Sequence, residues 1–363
     1  MAFHSSAPTL AELGFDSFFA EQMPDPESWA RLARVAVEHR GQYQVLSLHG
    51  VHAAVLSGRL RHTASEWPKV GDWVELCAAN AQLIERVLRR RTQFARRDPD
   101  ASGRIQVIAA NIDVVLIVCA SSASSSARVQ RRGVNLSRLE RYAAAVRQGG
   151  ALPVYVVNKI DLASDAQALI ASVVAIAGDA TVLATSALTG AGVNELRAAV
   201  PPRATLALCG ASGVGKSALT NRLLDHEAER VGDVRQEDER GRHTTTHREL
   251  FVMPGGGLLV DTPGMRELGL VGELDAGFDD IARLGERCRF RDCRHTDEPG
   301  CAVIAAIAAG ELDRRRLASL QKLERELARD HREVDPEARR RQRRAVKQRA
   351  RAYRAHMRLK NRP

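Results

Sequence analysis

Residues 210–217, Gly210-Ala211-Ser212-Gly213-Val214-Gly215-Lys216-Ser217, place three glycines, a lysine and a hydroxyl at the spacing of a phosphate-binding loop. Glycine lets the backbone curl until successive N–H groups face one centre, the geometry an oligophosphate requires. Lys216 would reach the β and γ phosphates and the Ser217 hydroxyl would ligate Mg2+. Ala218 carries the chain into a helical pattern whose N-terminal dipole favours the same anion. Upstream stands Asn158-Lys159-Ile160-Asp161. An aspartate there can accept both the N1 hydrogen and the exocyclic amine of guanine, a donor pair that adenine lacks, while the lysine methylenes cover the base. A site built this way rejects the wrong base because its polar groups are left unpaired. Thr185-Ser186-Ala187 would complete the base pocket. The competing reading makes Asn158 and Asp161 caps of the following helix.

Asp261-Thr262-Pro263-Gly264 could hold Mg2+ through water with its carboxylate and sense the γ phosphate with the Gly264 N–H. D-x-x-G arises by chance about once in a chain of this length, so its place behind an apolar strand carries the weight. Cys288, Cys293, His295 and Cys301 put three thiolates and an imidazole into one short stretch, enough for a closed tetrahedral and therefore structural Zn2+ site. A disulfide or unliganded loop thiols are the alternatives. Cys77, Cys119 and Cys209 stand singly in apolar, strand-like runs, where a thiol behaves as a small hydrophobe.

These groups need elements to hold them. From Ile112 onward, near-continuous aliphatic runs (IDVVLIVCA, LPVYVVNKID, TVLATSA, RATLALCG, RELFVM, GGLLVDTPG) alternate with helical patterns such as LSRLERYAAAV and VNELRAAV. That texture predicts a largely parallel sheet covered on both faces, with each motif at a strand end. Residues 40–97 instead carry brief β-rich runs broken by Gly41, Gly50, Gly58 and Gly71, which predict a small antiparallel barrel. Arg89, Arg90, Arg91, Arg96 and Arg97 flank Phe94, a combination suited either to phosphate and base contacts or to a barrel edge blunted by charge.

The formal charge of +10 is concentrated at one end. Residues 337–363 hold twelve Lys or Arg against one acid, so residues 1–336 sum to −1, the difference between +10 and +11. Such a tail attracts polyanions by releasing their counterions, or is simply a solvated end. No run approaches the ~18 apolar residues of a membrane span. The N-terminus lacks a basic start followed by a continuous apolar segment, so a cytoplasmic protein with no membrane partner is expected.

The motif order is base motif, T-S-A, phosphate loop, then D-T-P-G, whereas an ordinary GTPase begins with its phosphate loop. With Gly241-Arg-His-Thr-Thr-Thr246 and the cysteine cluster, this order resembles the RsgA (YjeQ/EngC) family of circularly permuted GTPases, from about residue 37 to residue 330. Ala218, where a second serine is common, and a longer Ser-rich loop and tail are the departures. A helical extension is expected over 1–36 and a basic tail from 335; between them the resemblance implies a multidomain α/β chain, with an OB-like barrel over 37–98, the permuted GTPase domain over 99–270 and a helical zinc-binding domain over 271–334. It implies one structural Zn2+, Mg2+ with GTP, and a monomer that hydrolyses GTP to GDP. The implied role is a late maturation factor of the small ribosomal subunit, binding its rRNA and stimulated by it. Residues 224–248 occupy the place of switch I, where Thr245 is favoured among Thr244, Thr245 and Thr246 to complete the Mg2+ shell. Met265 follows D-T-P-G in place of a water-orienting glutamine, and His243 resembles the family's proposed catalytic histidine. Rival functions are a P-loop ATPase or kinase, an RNA-binding module with a weakly active nucleotide site, and a permuted switch acting on another polyanion.

Overall fold

The structure is a computed structural model, and it describes residues 8–39, 41–64, 66–97, 105–120, 134–225, 248–261 and 277–334. The chain divides into two compact units, one of residues 1–96 with 107–269 and one of residues 97–106 with 270–363.

The first unit opens with a short helix, α1 (Ser17–Ala20), capped by the Asp16 carboxylate, and a 3-10 turn over Pro26–Arg31. Five strands follow: β1 (Leu32–His39), β2 (Gln42–Ser47), β3 (Gly50–Leu56), β4 (Trp73–Cys77) and β5 (Asn80–Val87). A helix, α2 (Gly58–Thr63), lies between β3 and β4. The pairing order β1-β2-β3-β5-β4, closed by β4 on β1, is that of a five-stranded OB-like barrel. Alternation points Val35, Tyr43, Val45, Leu56, Val74, Leu76 and Ile84 into its core. The barrel begins at Leu32, within the stretch assigned from sequence to the N-terminal extension, because Leu32, Ala33 and Arg34 pair with Glu75, Val74 and Trp73.

Strands β6 (Gln93–Arg97) and β7 (Ile105–Ala110) form a separate ribbon. Beyond it come β8 (Val114–Ala120), α3 (Leu136–Gln148), β9 (Leu152–Asn158), α4 (Ala166–Ala177), β10 (Val182–Ala184), α5 (Val193–Ala199), β11 (Thr205–Cys209), α6 (Lys216–Leu223), β12 (Glu249–Val252) and β13 (Leu258–Asp261). The order β10-β9-β8-β11-β13-β12 is parallel except for β12. Nearly every residue of β8, β9 and β11 is buried, as expected for aliphatic strands covered on both faces. Register brings Ala120 beside Asn158, Cys209 beside Ile117 and Val260 beside Ala207, so the motif-bearing strand ends lie along one edge.

Barrel and parallel sheet form one continuous eleven-stranded sheet, joined where β1 pairs antiparallel with β12 at Val37 and Glu249. Arg34, within β1, is 1% exposed. Its guanidinium donates to Gly71 O (3.1 Å), Leu13 O (2.6 Å), Asn111 O (2.7 Å) and Thr205 Oγ1 (2.9 Å). Burial pulls its pKa down to about 10, so it stays charged near neutrality, solvated by carbonyl dipoles in place of water.

The second unit contains α7 (Asp279–Gly285), a loop, α8 (Ala302–Ala308) and α9 (Arg314–Val334). Arg316 of α9 pairs with Asp280 of α7 and donates to Gly277 O, tying the two helices together. Among the described residues no helix is long and apolar enough to cross a membrane. The tail, 335–363, lies outside the described residues.

Candidate functional site

The phosphate loop leaves β11 at Gly210, whose φ of 142° and position against the Val118 carbonyl leave no room for a side chain: a Cβ there would lie 2.2 Å from that oxygen. The loop closes at Gly215 (φ 92°), the residue before α6. Lys216 opens α6 and folds back over the loop, its amine donating to Gly210 O (2.9 Å) and Ala211 O (2.7 Å). Ser212, Gly213, Ser217 and Ala218 are exposed, with Val214 half-buried, so the loop presents its backbone and the Ser217 hydroxyl outward. This is an arrangement that can cradle an oligophosphate at a helix N-terminus.

Asn158, 1% exposed at the end of β9, joins two loops. Its amide nitrogen donates to Val214 O (2.9 Å) in the phosphate loop. Its carbonyl oxygen accepts from Thr185 Oγ1 (3.2 Å) and from the Ala187 amide (3.1 Å). Lys159, in the left-handed region at φ 60°, lays its chain over the phosphate loop to donate to Gly213 O (2.7 Å). Ile160 and Asp161 begin a 3-10 turn, the Ile160 amide donating to Thr185 O, and Asp161 is exposed at the mouth of the site. Ser186 is buried, its hydroxyl capping the Thr189 amide. Asn158 is thus no helix cap; the cap of α4 is Asp165, which accepts from the Ala168 amide. The base motif, T-S-A and the phosphate loop are brought together, and Asp261 ends β13 two strands from β8 along the same edge. Gly264, His243 and Thr245 lie outside the described residues.

The arginine-rich stretch is used internally more than its composition suggested. Arg90 forks onto Asp72 (2.8 Å to each oxygen) and reaches Glu66, Arg91 pairs with Asp16, and Arg89 lies over Phe18. Phe94 is 2% exposed, which removes it as a stacking platform for bases. Cys119 and Cys209 are buried and Cys77 half-buried; burial pushes the Cys119 thiol up to about 12, leaving it inert.

In the second unit one ligand atom from each of Cys288, Cys293, His295 and Cys301 falls within 4.8 Å of the others. His295 Nδ1 lies 3.4 Å from Cys301 Sγ and 3.7 Å from Cys288 Sγ. Burial raises the Cys288 thiol, but the Ala302 and Val303 amides at the start of α8, together with hydrogen bonds from the Cys301 and Cys293 thiols, draw its pKa below the ordinary value. Cys293 moves the other way, to about 11: the His295 amide favours its thiolate, but burial and the adjoining Cys301 and Cys288 thiols overcome that. Three thiolates this close cannot ionise together without a cation among them. Three soft sulfurs and an imidazole with ligand atoms within 4.8 Å of one another fit a divalent metal of the zinc type.

A phosphate loop following, not preceding, its base-side motif on a parallel sheet defines a circularly permuted P-loop GTPase. The family model described as RsgA GTPase matches residues 87–271. Small ribosomal subunit biogenesis GTPase RsgA of Opitutus terrae is 44% identical over 347 residues, covering 90% of this chain and 92% of that protein. RsgA 2 of Lactiplantibacillus plantarum is 39% identical over 303 residues, covering 82% and 83% respectively. The crystal structure of YjeQ from Thermotoga maritima superposes with a TM-score of 0.60 at 27% identity, covering 82% of this chain and 98% of that one. The chain belongs to the RsgA GTPase family.

Arg34, Arg197 and Arg222 belong to no sequence motif. Each acts by donating to backbone carbonyls distant in sequence, a role with no motif to mark it.

Proposed function

We propose that the chain hydrolyses GTP as a late assembly factor of the small ribosomal subunit, binding that subunit's rRNA and stimulated by it. The observation that carries the nucleotide assignment is Asn158, which ties the phosphate loop to the T-S-A turn and so fixes the distance between the base and phosphate ends of one site. Asp161 reads the guanine edge, the Lys159 methylenes cover one face of the base, and Ser186 and Ala187 border the other side. Residues 210–218 hold the phosphates, with Lys216 on the β and γ oxygens. Ser217 and Thr245 hold Mg2+, Asp261 supports it through water, and Gly264 senses the γ phosphate. Mg2+ supplies charge neutralisation at the transferring phosphoryl group. His243 orients the attacking water in place of the glutamine that Met265 displaces.

The cysteine cluster holds one structural Zn2+, and its four protein ligands leave no open position for catalysis. The ribosomal role draws support from the names of the RsgA relatives and from the basic tail at 337–363. A monomer acting in the cytoplasm fits this reading.

Phosphate release from GTP, measured for the full chain alone, with small subunits and with large subunits, tests the proposal. Small subunits are expected to raise turnover by at least tenfold and large subunits not at all. His243→Ala is expected to lower the stimulated rate by about 100-fold with GTP affinity kept, the scale of losing one group that positions a reactant. Equal stimulation by both subunits would remove the small-subunit assignment, and an unchanged His243→Ala rate would remove the histidine's role.

A further inference from the structure

The T-S-A turn is held from two sides. On the inner side Asn158 Oδ1 accepts from the Ala187 amide. On the outer side Arg222 forks onto the next two carbonyls, Nε donating to Ala187 O (2.9 Å) and Nη2 to Leu188 O (2.8 Å). Ala187 is therefore pinned through both its N–H and its C=O. Packing does not anchor the residues just beyond it: Leu188 is 76% exposed and Thr189 is exposed too. Hydrogen bonds, not apolar burial, hold the turn after Ala187.

Arg222 belongs to α6, the helix that Lys216 opens, so one rigid element carries the phosphate-binding lysine at its start and the clamp on the base-side turn near its end. Arg197 of α5 braces the clamp from behind. Its Nη2 donates to Arg222 O (2.8 Å) and Leu223 O (3.3 Å), satisfying carbonyls at the end of α6, and pairs with Asp225. The planar guanidinium presents parallel donors, which suits two successive carbonyls; an ammonium offers only a point charge.

We propose that Arg222 is a positioning residue for base recognition, setting the Ser186–Ala187 backbone against the guanine from the phosphate-loop helix without touching nucleotide. The inference rests on the reading of Asn158–Asp161 and Ser186–Ala187 as the guanine site.

Equilibrium binding to the full chain tests it. Arg222→Ala is expected to weaken GTP and GDP by the same factor, about tenfold, equivalent to one or two lost hydrogen bonds. Turnover at saturating GTP should stay within about twofold, and competition by inorganic triphosphate, a probe of the phosphate loop alone, should not change. Arg222→Lys, which can reach one carbonyl at a time, should recover part of the loss and keeps the test open should the alanine variant fold poorly. Unchanged GTP and GDP affinity in both variants would overturn the proposal. So would an equal loss for inorganic triphosphate, since Arg222 would then support the phosphate loop and not the base side. Asp161→Asn is the separate control on the underlying reading: it should weaken GTP and favour xanthosine triphosphate, and GTP binding unaffected by that change would reject the guanine site itself.

Discussion

A methyl group on Gly215 would lie 2.4 Å from Asn158 Nδ2, and the residue sits at φ 92°, where an L side chain is strained in any case. The glycine therefore serves two ends, the curl of the phosphate loop and the entry of Asn158 to Val214 O. Gly215→Ala is expected to expel Asn158 and lower GTP affinity by about 100-fold, with melting temperature changed far less, because the cost falls on the loop and not on the core. Isothermal titration and thermal unfolding of the same variant check this together; a full-affinity Gly215→Ala would mean that the Asn158 bridge is dispensable. At this scale much of the site is legible in the sequence. The phosphate loop and N-K-I-D are contiguous, and their chemistry fixes residue types at fixed spacing. Arg222 escapes such a reading because its partners are main-chain carbonyls of Ala187 and Leu188, which any residues could supply.

Helix α8 shows how one element can prepare a metal site. Its N-cap is Cys301, whose sulfur accepts from the Ile304 amide (3.5 Å), while the Ala302 and Val303 amides serve Cys288. The helix N-terminus thus stabilises the Cys288 thiolate and is itself capped by the Cys301 sulfur, and Gln321 of α9 holds the loop by donating to Arg294 O and His295 O (3.3 Å each). A chelator is expected to lower the helical signal of the full chain and expose the α8 amides to hydrogen exchange, both restored by adding Zn2+. Unchanged α8 protection in metal-free protein would show that the helix stands without the ion. The cluster is legible from spacing alone, but its dependence on α8 is not, since capping by Cys301 uses a residue type seldom found at that position.

On the scale of the whole first unit, barrel and nucleotide domain share a sheet. Strand β1 pairs with β12, and β12 with β13, which ends at Asp261. Arg34 reinforces this seam by reaching Thr205, the first residue of the strand that leads into the phosphate loop. A small antiparallel barrel was legible from brief β-rich runs broken by glycines, its OB-like form from the family resemblance, and the parallel sheet from near-continuous aliphatic runs alternating with helices. Their joining was not, because Val37 and Glu249 meet across most of the chain and an arginine within an apolar strand reads as an exposed position. On the proposed function, this sheet edge builds a site selective for guanine. Equilibrium affinities of GTP, GDP and ATP for the full chain with Mg2+ test it most directly: GTP and GDP are predicted to bind at least about 100-fold more tightly than ATP, the scale set by leaving Asp161 unpaired. ATP binding as tight as GTP would contradict it.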